Sequence, residues 1–340
     1  MNDGSRDRTG LLLDELATQY PRLRVIHLAT NQGKAIALQS GAVAARHEYL
    51  ICIDGDAMLH PHAVGWLMYH LTSWPRVGTV TGNPRVLNRS SLLGKLQVGE
   101  FSAIIGLIKR AQRTYGRVFT VSGVIAGFRR TALDRIGYWS PDMVTEDIDV
   151  SWRLQLDHWD LRYEPNALCY IYVPETFRGL WRQRLRWAQG GVETLLRHQR
   201  TLLQWRKRRL WGVALEYVVS ILWSYLIFAL LLVFLAALVL DVPGEWNRAS
   251  LIPQWAGVML GTTALVQFLV SLLIDRRYEP DKRFFRNLFW VIWYPLAFWL
   301  LSMLTMVFGF PRALRKRSGE RARWVSPDRG LRPAEGKPRE

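Results

Sequence analysis

The chain has 340 residues, enough for one large domain or two of ordinary size. It carries 45 Lys and Arg residues against 28 Asp and Glu residues, a net charge of +17. Because the arginines crowd around long apolar segments, as in membrane proteins, the charge favours a lipid bilayer and phosphate groups as partners and argues against nucleic acid. The two cysteines, Cys52 and Cys169, have no metal-ligand spacing, which argues against a disulfide framework or a zinc site.

Residues 1–175 have the pattern of a soluble α/β domain. The short apolar runs 24–28 and 49–53 predict buried strands, and the Ala-rich run 33–46 predicts a helix between them. Strand, helix and strand at this spacing predict parallel pairing within an α/β sheet. Further strands are predicted at 79–81, 118–121 and 168–173.

Two carboxylates, Asp54 and Asp56, follow the predicted strand 49–53. Residues i and i+2 of an extended strand point the same way, so both side chains can converge on one hard cation, Mg²⁺ or Mn²⁺. Such a cation would bind a diphosphate and stabilise it as it leaves, and ligands of open α/β sheets bind beyond the carboxyl ends of strands. By itself the pattern is more often a helix cap or a turn, so it needs support from elsewhere in the chain.

A second acidic group, Glu146, Asp147 and Asp149, begins an amphipathic run that predicts a helix over 148–154. Acids at a helix start serve as caps and compensate the helix dipole, which is worth about 1 kcal/mol. Beside a metal-bound sugar diphosphate, any one of the three can instead take the proton from an acceptor hydroxyl.

The segment 179–191 contains Gln183, Arg186 and Trp187 and predicts an amphipathic helix in the membrane interface. In one interpretation its arginines contact lipid phosphates. In the other, Arg186 binds diphosphate oxygens and Trp187 stacks on a sugar ring. The two roles are compatible.

Three segments of the second half, 218–240, 251–274 and 288–310, contain no Asp, Glu, Lys or Arg, and each has at least 23 residues. A helix of that length is roughly 35 Å long, more than the ~30 Å hydrocarbon core of a bilayer. All three segments are therefore predicted membrane spans.

The orientation of these spans follows from the flanking charges. Ten Lys and Arg residues lie within 178–209 and five within 275–287, but only one lies within 241–250. This excess predicts that the first half of the chain and the second link face the cytoplasm. Three crossings would place the basic tail after Pro311 outside, so either the first span does not cross simply or the tail breaks the rule.

Five motifs carry a resemblance to a known family: Asp3-Gly4-Ser5, Gly33-Lys34-Ala35, Asp54-Gly55-Asp56, Thr145-Glu146-Asp147 and Gln-Arg-Leu-Arg-Trp at 183–187. They occur in the order seen in processive family-2 glycosyltransferases, which include cellulose, chitin, hyaluronan and poly-N-acetylglucosamine synthases. The resemblance covers residues 2–310 and implies an α/β GT-A domain with a Rossmann-like mixed sheet, followed by an α-helical transmembrane region. Longer runs resemble the subfamily that makes poly-β-1,6-N-acetyl-D-glucosamine for bacterial biofilm; they are 81–85, 97–116, 119–130 and 321–330.

The implied organisation has four parts: a cytosolic GT-A catalytic domain at 1–175, amphipathic interface helices at 176–210, a transmembrane region of about three spans at 211–310, and a basic tail at 311–340. The resemblance also implies roles for single residues. It assigns the general base to Asp147 beside Glu146, nucleotide-sugar binding to Asp3, Lys34, Asp54 and Arg186, acceptor binding to Gln183 and Trp187, and ligation of Mg²⁺ or Mn²⁺ to Asp56.

The function implied by the resemblance is inverting polymerisation of N-acetylglucosamine from UDP-GlcNAc, with the growing glycan passed across the bacterial inner (cytoplasmic) membrane. A small two-span membrane subunit and cyclic di-GMP are the partners expected from it. The alternatives are a synthase of the chitin, hyaluronan or cellulose type, or a catalytically inactive scaffold.

The start of the chain differs from the family pattern. The family has a buried strand and membrane spans before the Asp3 motif, and usually an apolar residue at position 1, where this chain has Met1. A GTG codon interpreted as a start would give this sequence. We therefore expect an N-terminally truncated gene model that lacks the first strand, which sequencing of the upstream region would test.

Overall fold

A computed structural model of the chain describes residues 1–240, 255–279, 284, 286–317 and 319–322. The link 241–250 and all of the basic tail after Ala322 lie outside the described residues, and so does most of the run 321–330. The described strands are β1 (Tyr49–Ile53), β2 (Met58–Leu59), β3 (Val77–Val86), β4 (Ile125–Arg129) and β5 (Asp160–Ile171).

The described helices of the first half are α1 (Thr9–Gln19), α2 (Lys34–Ala44), α3 (Ala63–Ser73), α4 (Leu92–Glu100), α5 (Ile108–Thr114), α6 (Arg130–Ile136) and α7 (Glu146–Leu156). Those of the second half are α8 (Phe177–Leu202), α9 (Trp211–Val239), α10 (Trp255–Asp275), α11 (Asn287–Val291) and α12 (Tyr294–Arg315). A π-helical segment, Phe101–Leu107, joins α4 to α5, and a 3₁₀ turn, Trp205–Leu210, joins α8 to α9.

The five strands form one mixed sheet in the order β1-β4-β3-β5-β2. β3 and β5 run parallel, whereas β1 and β3 both pair antiparallel with β4, and β2 pairs antiparallel with β5. The predicted strands 79–81 and 168–173 fall within or at the end of β3 and β5, and the predicted helices 33–46 and 148–154 correspond to α2 and α7.

The predicted parallel pairing of residues 24–28 with 49–53 is wrong. The amide of Asn2 donates to the carbonyl of Ile26 (2.9 Å), and the amide of Leu28 donates to the carbonyl of Asn2 (2.9 Å). These bonds give an isolated bridge rather than a strand of the sheet. The apolar run at 24–28 identified a partly buried extended segment, but its backbone partner is Asn2.

The predicted strand at 118–121 is also absent from the described structure. The amides of Val118 and Val121 bond to the side chains of Gln155 (3.2 Å) and Ser151 (2.8 Å) of α7. Because side chains satisfy its backbone groups, this apolar segment is buried as a loop and needs no neighbouring strand.

Helices cover both faces of the sheet. On one face Leu67 and Leu71 of α3 are fully buried against β3 and β4. On the other, Leu133 of α6 and Leu154 of α7 pack with Phe128 of β4. Burial of each leucine contributes roughly 1.5–3 kcal/mol, so this three-layer core fixes the end of β1 and the start of α7, which carry the acidic motifs.

Three helical stretches are long and apolar enough to cross a membrane, judged by length and composition: Trp205–Ala237, Gly257–Tyr278 and Ala297–Arg315. Large apolar side chains of α9 stay exposed; Leu215 and Leu222 each expose 63% of their surface. An exposed apolar helix face of this size is expected where lipid covers the protein.

Both ends of α12 are held by contacts with the α/β domain or with α8. At its first residue the hydroxyl of Tyr294 donates to Glu100 at the end of α4 (2.6 Å). Just after its last turn Lys316 forms an ion pair with Glu193 of α8 (2.9 Å), and the amide of Ala322 donates to the carbonyl of Pro141 (3.0 Å). Between these ends α12 lies along α8.

Candidate active site

One cavity of about 390 Å³ extends from the end of β1 to the side of α12. It collects eight of the nine residues to which the resemblance assigns roles. They are Lys34, Asp54, Asp56, Glu146, Asp147, Gln183, Arg186 and Trp187. The ninth, Asp3, does not line it; its carboxylate accepts the amides of Gln32 (2.7 Å) and Gly33 (2.8 Å) and so fixes the loop before α2.

One end of the cavity, the acidic end, is lined by Asp54, Asp56, Glu146 and Asp147, and Lys34 lies at its centre. Its ammonium group lies 2.7 Å from Asp54 Oδ1 and 3.1 Å from Glu146 Oε1. Burial disfavours the charged form, but these carboxylates more than compensate and raise the pKa of Lys34 above its usual range. Gly33 precedes it with a φ of 92°, a left-handed conformation that suits glycine and that turns the chain into α2.

Asp54 and Asp56 lie where β1 ends, as the spacing predicts. Burial raises the pKa of Asp54, although Lys34 opposes the shift, and the nearby charge of Asp56 adds to it. A cation at this rim would relieve the repulsion between the two carboxylates. Their oxygens are the ligands that hard divalent cations prefer, so the donor set fits such an ion.

The described residues contain no group of three or more His, Cys, Asp or Glu side chains placed to hold a metal. A cation at Asp54 and Asp56 would therefore keep open positions for ligands other than protein. That arrangement suits an ion shared with a bound diphosphate.

Glu146 and Asp147 begin α7, side by side, yet their environments push their pKa values apart. Burial favours the protonated form of both, but Lys34 holds the pKa of Glu146 below its ordinary value. Burial and the charge of Glu146 raise the pKa of Asp147 to about 6. Separated values of this kind distinguish an ionised binding residue from a carboxylate poised to exchange a proton near neutral pH.

The third acid of this group, Asp149, faces away from the cavity. Its carboxylate accepts hydrogen bonds from Ser140 (2.7 Å), Arg153 (2.8 Å) and His198 (3.0 Å). Burial works against ionisation, but these partners lower the pKa of Asp149 to about 2. The prediction of Asp149 as a candidate general base is therefore wrong. Its carboxylate links α7 to α8, and because residues two apart in a helix project to opposite sides, it points away from Asp147.

Gln183, Arg186 and Trp187 reach the cavity from α8. Arg186 is close enough to the acidic pair for its charge to favour their ionised forms. The packing of α8 against the start of α7 depends on Gly190, since a Cβ there would lie 2.0 Å from Oγ1 of Thr145, the residue before α7. The register of this helix therefore sets how far Arg186 stands from Glu146 and Asp147.

Two cavity residues were missed by sequence reasoning. Lys109 of α5 is buried and donates to Ser122 Oγ (2.8 Å), and burial lowers its pKa to about 8. Glu100 ends α4 beneath α12. The available signal was the position of these two residues: Glu100 comes directly before the uncharged, mostly apolar run 101–108, and Lys109 directly after it.

Comparison with known proteins identifies the family to which the chain belongs. The family model described as glycosyl transferase family group 2 matches residues 49–314, so the chain belongs to the family-2 glycosyltransferases. The predicted membership and fold class are confirmed. The chain is a glycosyltransferase, and its apolar helices associate it with a membrane.

Two named relatives show which enzymes of the family this chain resembles in sequence. The chain is 40% identical, over 331 residues, to the poly-β-1,6-N-acetyl-D-glucosamine synthase of Staphylococcus epidermidis, covering 97% of this chain and 79% of that protein. It is also 40% identical to the synthase of the same name from Staphylococcus aureus strain COL, over 330 residues. The similarity covers the catalytic domain and the apolar helices together.

A solved structure resembles the fold. The mannosyltransferase PcManGT from Pyrobaculum calidifontis, in complex with GDP-mannose and Mn²⁺, matches with a TM-score of 0.64 over 93% of this chain and 77% of that one. The sequences are 17% identical, so the likeness concerns the fold.

Proposed function

We propose that the chain is a membrane-embedded, processive, inverting glycosyltransferase that polymerises N-acetylglucosamine from UDP-GlcNAc into poly-β-1,6-N-acetyl-D-glucosamine. The observation that carries the proposal is the cavity that joins the acidic motifs to the apolar helices. The similarity to synthases of that polymer along nearly the whole chain supports the choice of sugar and linkage.

In the proposed reaction a hydroxyl oxygen of the glycan end attacks the anomeric carbon of the bound sugar. The bond from that carbon to the UDP oxygen breaks with inversion, and UDP leaves with the electron pair. Asp147 takes the proton of the attacking hydroxyl, for which its raised pKa is suited. One in-line displacement with one base is sufficient, because the α-linked donor gives a β-linked product.

Nucleotide-sugar binding falls to Lys34, Asp54 and Arg186, with Asp56 as ligand of Mg²⁺ or Mn²⁺. Bound there, the cation would supply charge stabilisation for the departing diphosphate. Glu146, tied to Lys34, keeps that ammonium in place. Asp3 holds the loop before Lys34, and contact with uridine is the role we propose for it.

Acceptor binding falls to Gln183 and Trp187, at the boundary between the acidic end and the apolar wall of the cavity. Beyond them the cavity is lined by Phe298, Ser302 and Met306 of α12. Apolar faces with a few hydroxyls match the alternating faces of a sugar chain. The growing glycan would leave along this wall and past Tyr217 of α9, a helix that crosses the membrane in the arrangement inferred below.

The contacts at the ends of the helices support a particular membrane arrangement. α9 begins against α7, where Val213 packs with Trp152, and α10 ends at Asp275, which pairs with Arg110 of α5 (3.2 Å). α12 contacts Glu100 at its start, and Ala322, just beyond its end, contacts Pro141. We infer that α9 and α10 cross the bacterial inner membrane, whereas α12 begins and ends on the cytoplasmic side without crossing. This would leave the start of the tail inside, in agreement with its positive charge.

Labelling from outside intact cells tests this arrangement. A membrane-impermeant thiol reagent should label Ser250→Cys, in the first link, and should not label Arg317→Cys, just after α12. Strong labelling of Arg317→Cys from outside would overturn it and favour three crossings.

The direct test of activity uses membranes that contain the full chain. UDP-GlcNAc should give UDP and a polymer that a β-1,6-specific hexosaminidase degrades. A polymer that only a chitinase or a hyaluronidase degrades would redirect the proposal to another synthase type, and absence of UDP release would favour an inactive scaffold. Addition of cyclic di-GMP and co-purification of a small two-span subunit test the partners expected from the resemblance.

A further inference from the structure

A buried series of polar contacts leads from the start of α12 to the ring of Trp187. Tyr294 donates its hydroxyl to Glu100 Oε2 (2.6 Å), and Arg184 Nε lies 2.8 Å from Glu100 Oε1. Arg184 Nη1 donates to the side-chain oxygen of Gln183 (2.6 Å), and its guanidinium carbon lies 4.2 Å from the centre of the Trp187 ring. The contacts thus join α4, α8 and α12.

The charged pair in this series is almost completely shielded from solvent. Glu100 exposes 2% of its surface and Arg184 6%. Desolvation of two charges offsets much of their attraction, so a buried ion pair contributes little net stability compared with apolar residues of the same size. What such a pair does contribute is a fixed geometry, and here that geometry includes both residues proposed to bind the acceptor.

We propose that Arg184, held by Glu100 and Tyr294, is a positioning residue that sets the orientation of Trp187 and Gln183 for the acceptor end of the glycan. The inference rests on the proposed function, which assigns acceptor binding to those two residues. Arg184 covers one face of the indole, so a sugar can stack only on the other. A planar guanidinium is suited to this role because it stacks on the ring and bonds at its edge simultaneously.

The same contacts connect the acceptor site to the exit wall. Tyr294 begins α12, and Phe298 and Ser302, one and two turns further along that helix, line the cavity. Both the platform for the glycan end and the wall along which the chain leaves are therefore held by Glu100. Loss of this anchor should affect the growth of the chain more than the binding of UDP-GlcNAc.

The test compares transfer to the glycan with transfer to water. Membranes that contain the full chain with Arg184→Gln or Tyr294→Phe are assayed for UDP released and for GlcNAc incorporated into polymer. For Arg184→Gln we expect incorporation per UDP to fall about 3- to 10-fold, the size of a lost cation–π contact, with shorter polymer and an unchanged KM for UDP-GlcNAc. Tyr294→Phe, which removes one hydroxyl, should give about a 2- to 3-fold fall.

Two further variants make the outcome specific. Arg184→Lys keeps the charge near Glu100 but not the planar contact, so it should lie between wild type and Arg184→Gln. Arg200→Gln changes an exposed arginine of the same helix and should behave as wild type.

The inference is overturned in either of two cases. One is a parallel fall of UDP release and incorporation in Arg184→Gln and Tyr294→Phe, which would indicate a purely structural role. The other is a wild-type product length in both variants. Failure of the proposed function would look different, because the wild-type chain itself would make no GlcNAc polymer.

Discussion

At one end of the cavity the ammonium of Lys34 lies within 3.1 Å of two carboxylates, whereas at the other end Phe298 and Met306 of α12 form a largely apolar wall. The acidic end concentrates ionised groups, which suits a charged nucleotide and a proton transfer. The apolar end offers surfaces on which a neutral sugar chain can slide. Trp187 lines the cavity between them, so the proposed point of bond formation coincides with the change in polarity.

The two ends also differ in how they are held. The acidic groups are fixed by strand ends and by the first turn of α7, and their partners are charges a few ångströms away. The apolar wall depends on the packing of α12 on α8, where a Cβ at Gly309 would lie 3.1 Å from the Cβ of Ala188. Substitutions at the acidic end should therefore change the chemistry, and those in the helix packing should change the assembly of the site.

Loss of the proposed base, Asp147, gives the largest expected effect. Asp147→Asn removes the proton acceptor but preserves size, so transfer from UDP-GlcNAc should fall by about 10²- to 10⁴-fold. UDP release by membranes measures it. Asp134→Asn, an exposed aspartate of α6, is the matched control and should keep normal turnover. Wild-type turnover in Asp147→Asn would assign the base elsewhere.

Removal of the divalent cation should have the next largest effect. Chelation with EDTA should lower turnover by about a hundredfold, since charge stabilisation of the leaving group is worth several kcal/mol. Added Mg²⁺ or Mn²⁺ should restore it. Asp56→Asn should weaken binding of Mn²⁺ in the presence of UDP, as measured by electron paramagnetic resonance. Unchanged Mn²⁺ binding would remove Asp56 from the ligand set.

A methyl group added where α8 meets the start of α7 tests how closely these two helices pack. Gly190→Ala places a Cβ 2.0 Å from Thr145 Oγ1, so α8 has to shift, at a cost of about 1–3 kcal/mol. Thermal denaturation in detergent and UDP release should both show a loss. Gly212→Ala, where a Cβ meets nothing within 4 Å, is the control. Equal stability of the two variants would contradict the close contact.

Dependence on pH gives the mildest effect. The pKa of Asp147 is raised to about 6, and a carboxylate accepts a proton only when it is ionised, that is, above its pKa. Turnover should therefore be full at pH 7.5 and fall as the pH is lowered through 6, by roughly tenfold for each further unit. UDP inhibition measured over the same range separates catalysis from binding. A flat profile down to pH 5 would exclude Asp147 as the base.

Much of the site could be predicted from local sequence. Asp54 and Asp56 lie at a strand end and Glu146 and Asp147 at a helix start because these arrangements depend on residues close in the chain. The predictions that failed depended on distant partners. The run 118–121 has the composition of a strand, but the amides of Val118 and Val121 bond to side chains of α7. The residues of the run itself do not indicate these partners.

The sequence by itself determined the five motifs, the helix and strand types that carry most of them, and the apolar helices, since each follows from charge, periodicity or length within a short window. Only the tertiary structure decided which acid has the raised pKa, because Lys34 and Glu146 are 112 positions apart and meet through folding. It also decided that Glu100 contacts Tyr294, 194 positions away, and that Ala322, just after α12, contacts Pro141. Contacts at such separations depend on how the helices pack, which no local pattern records.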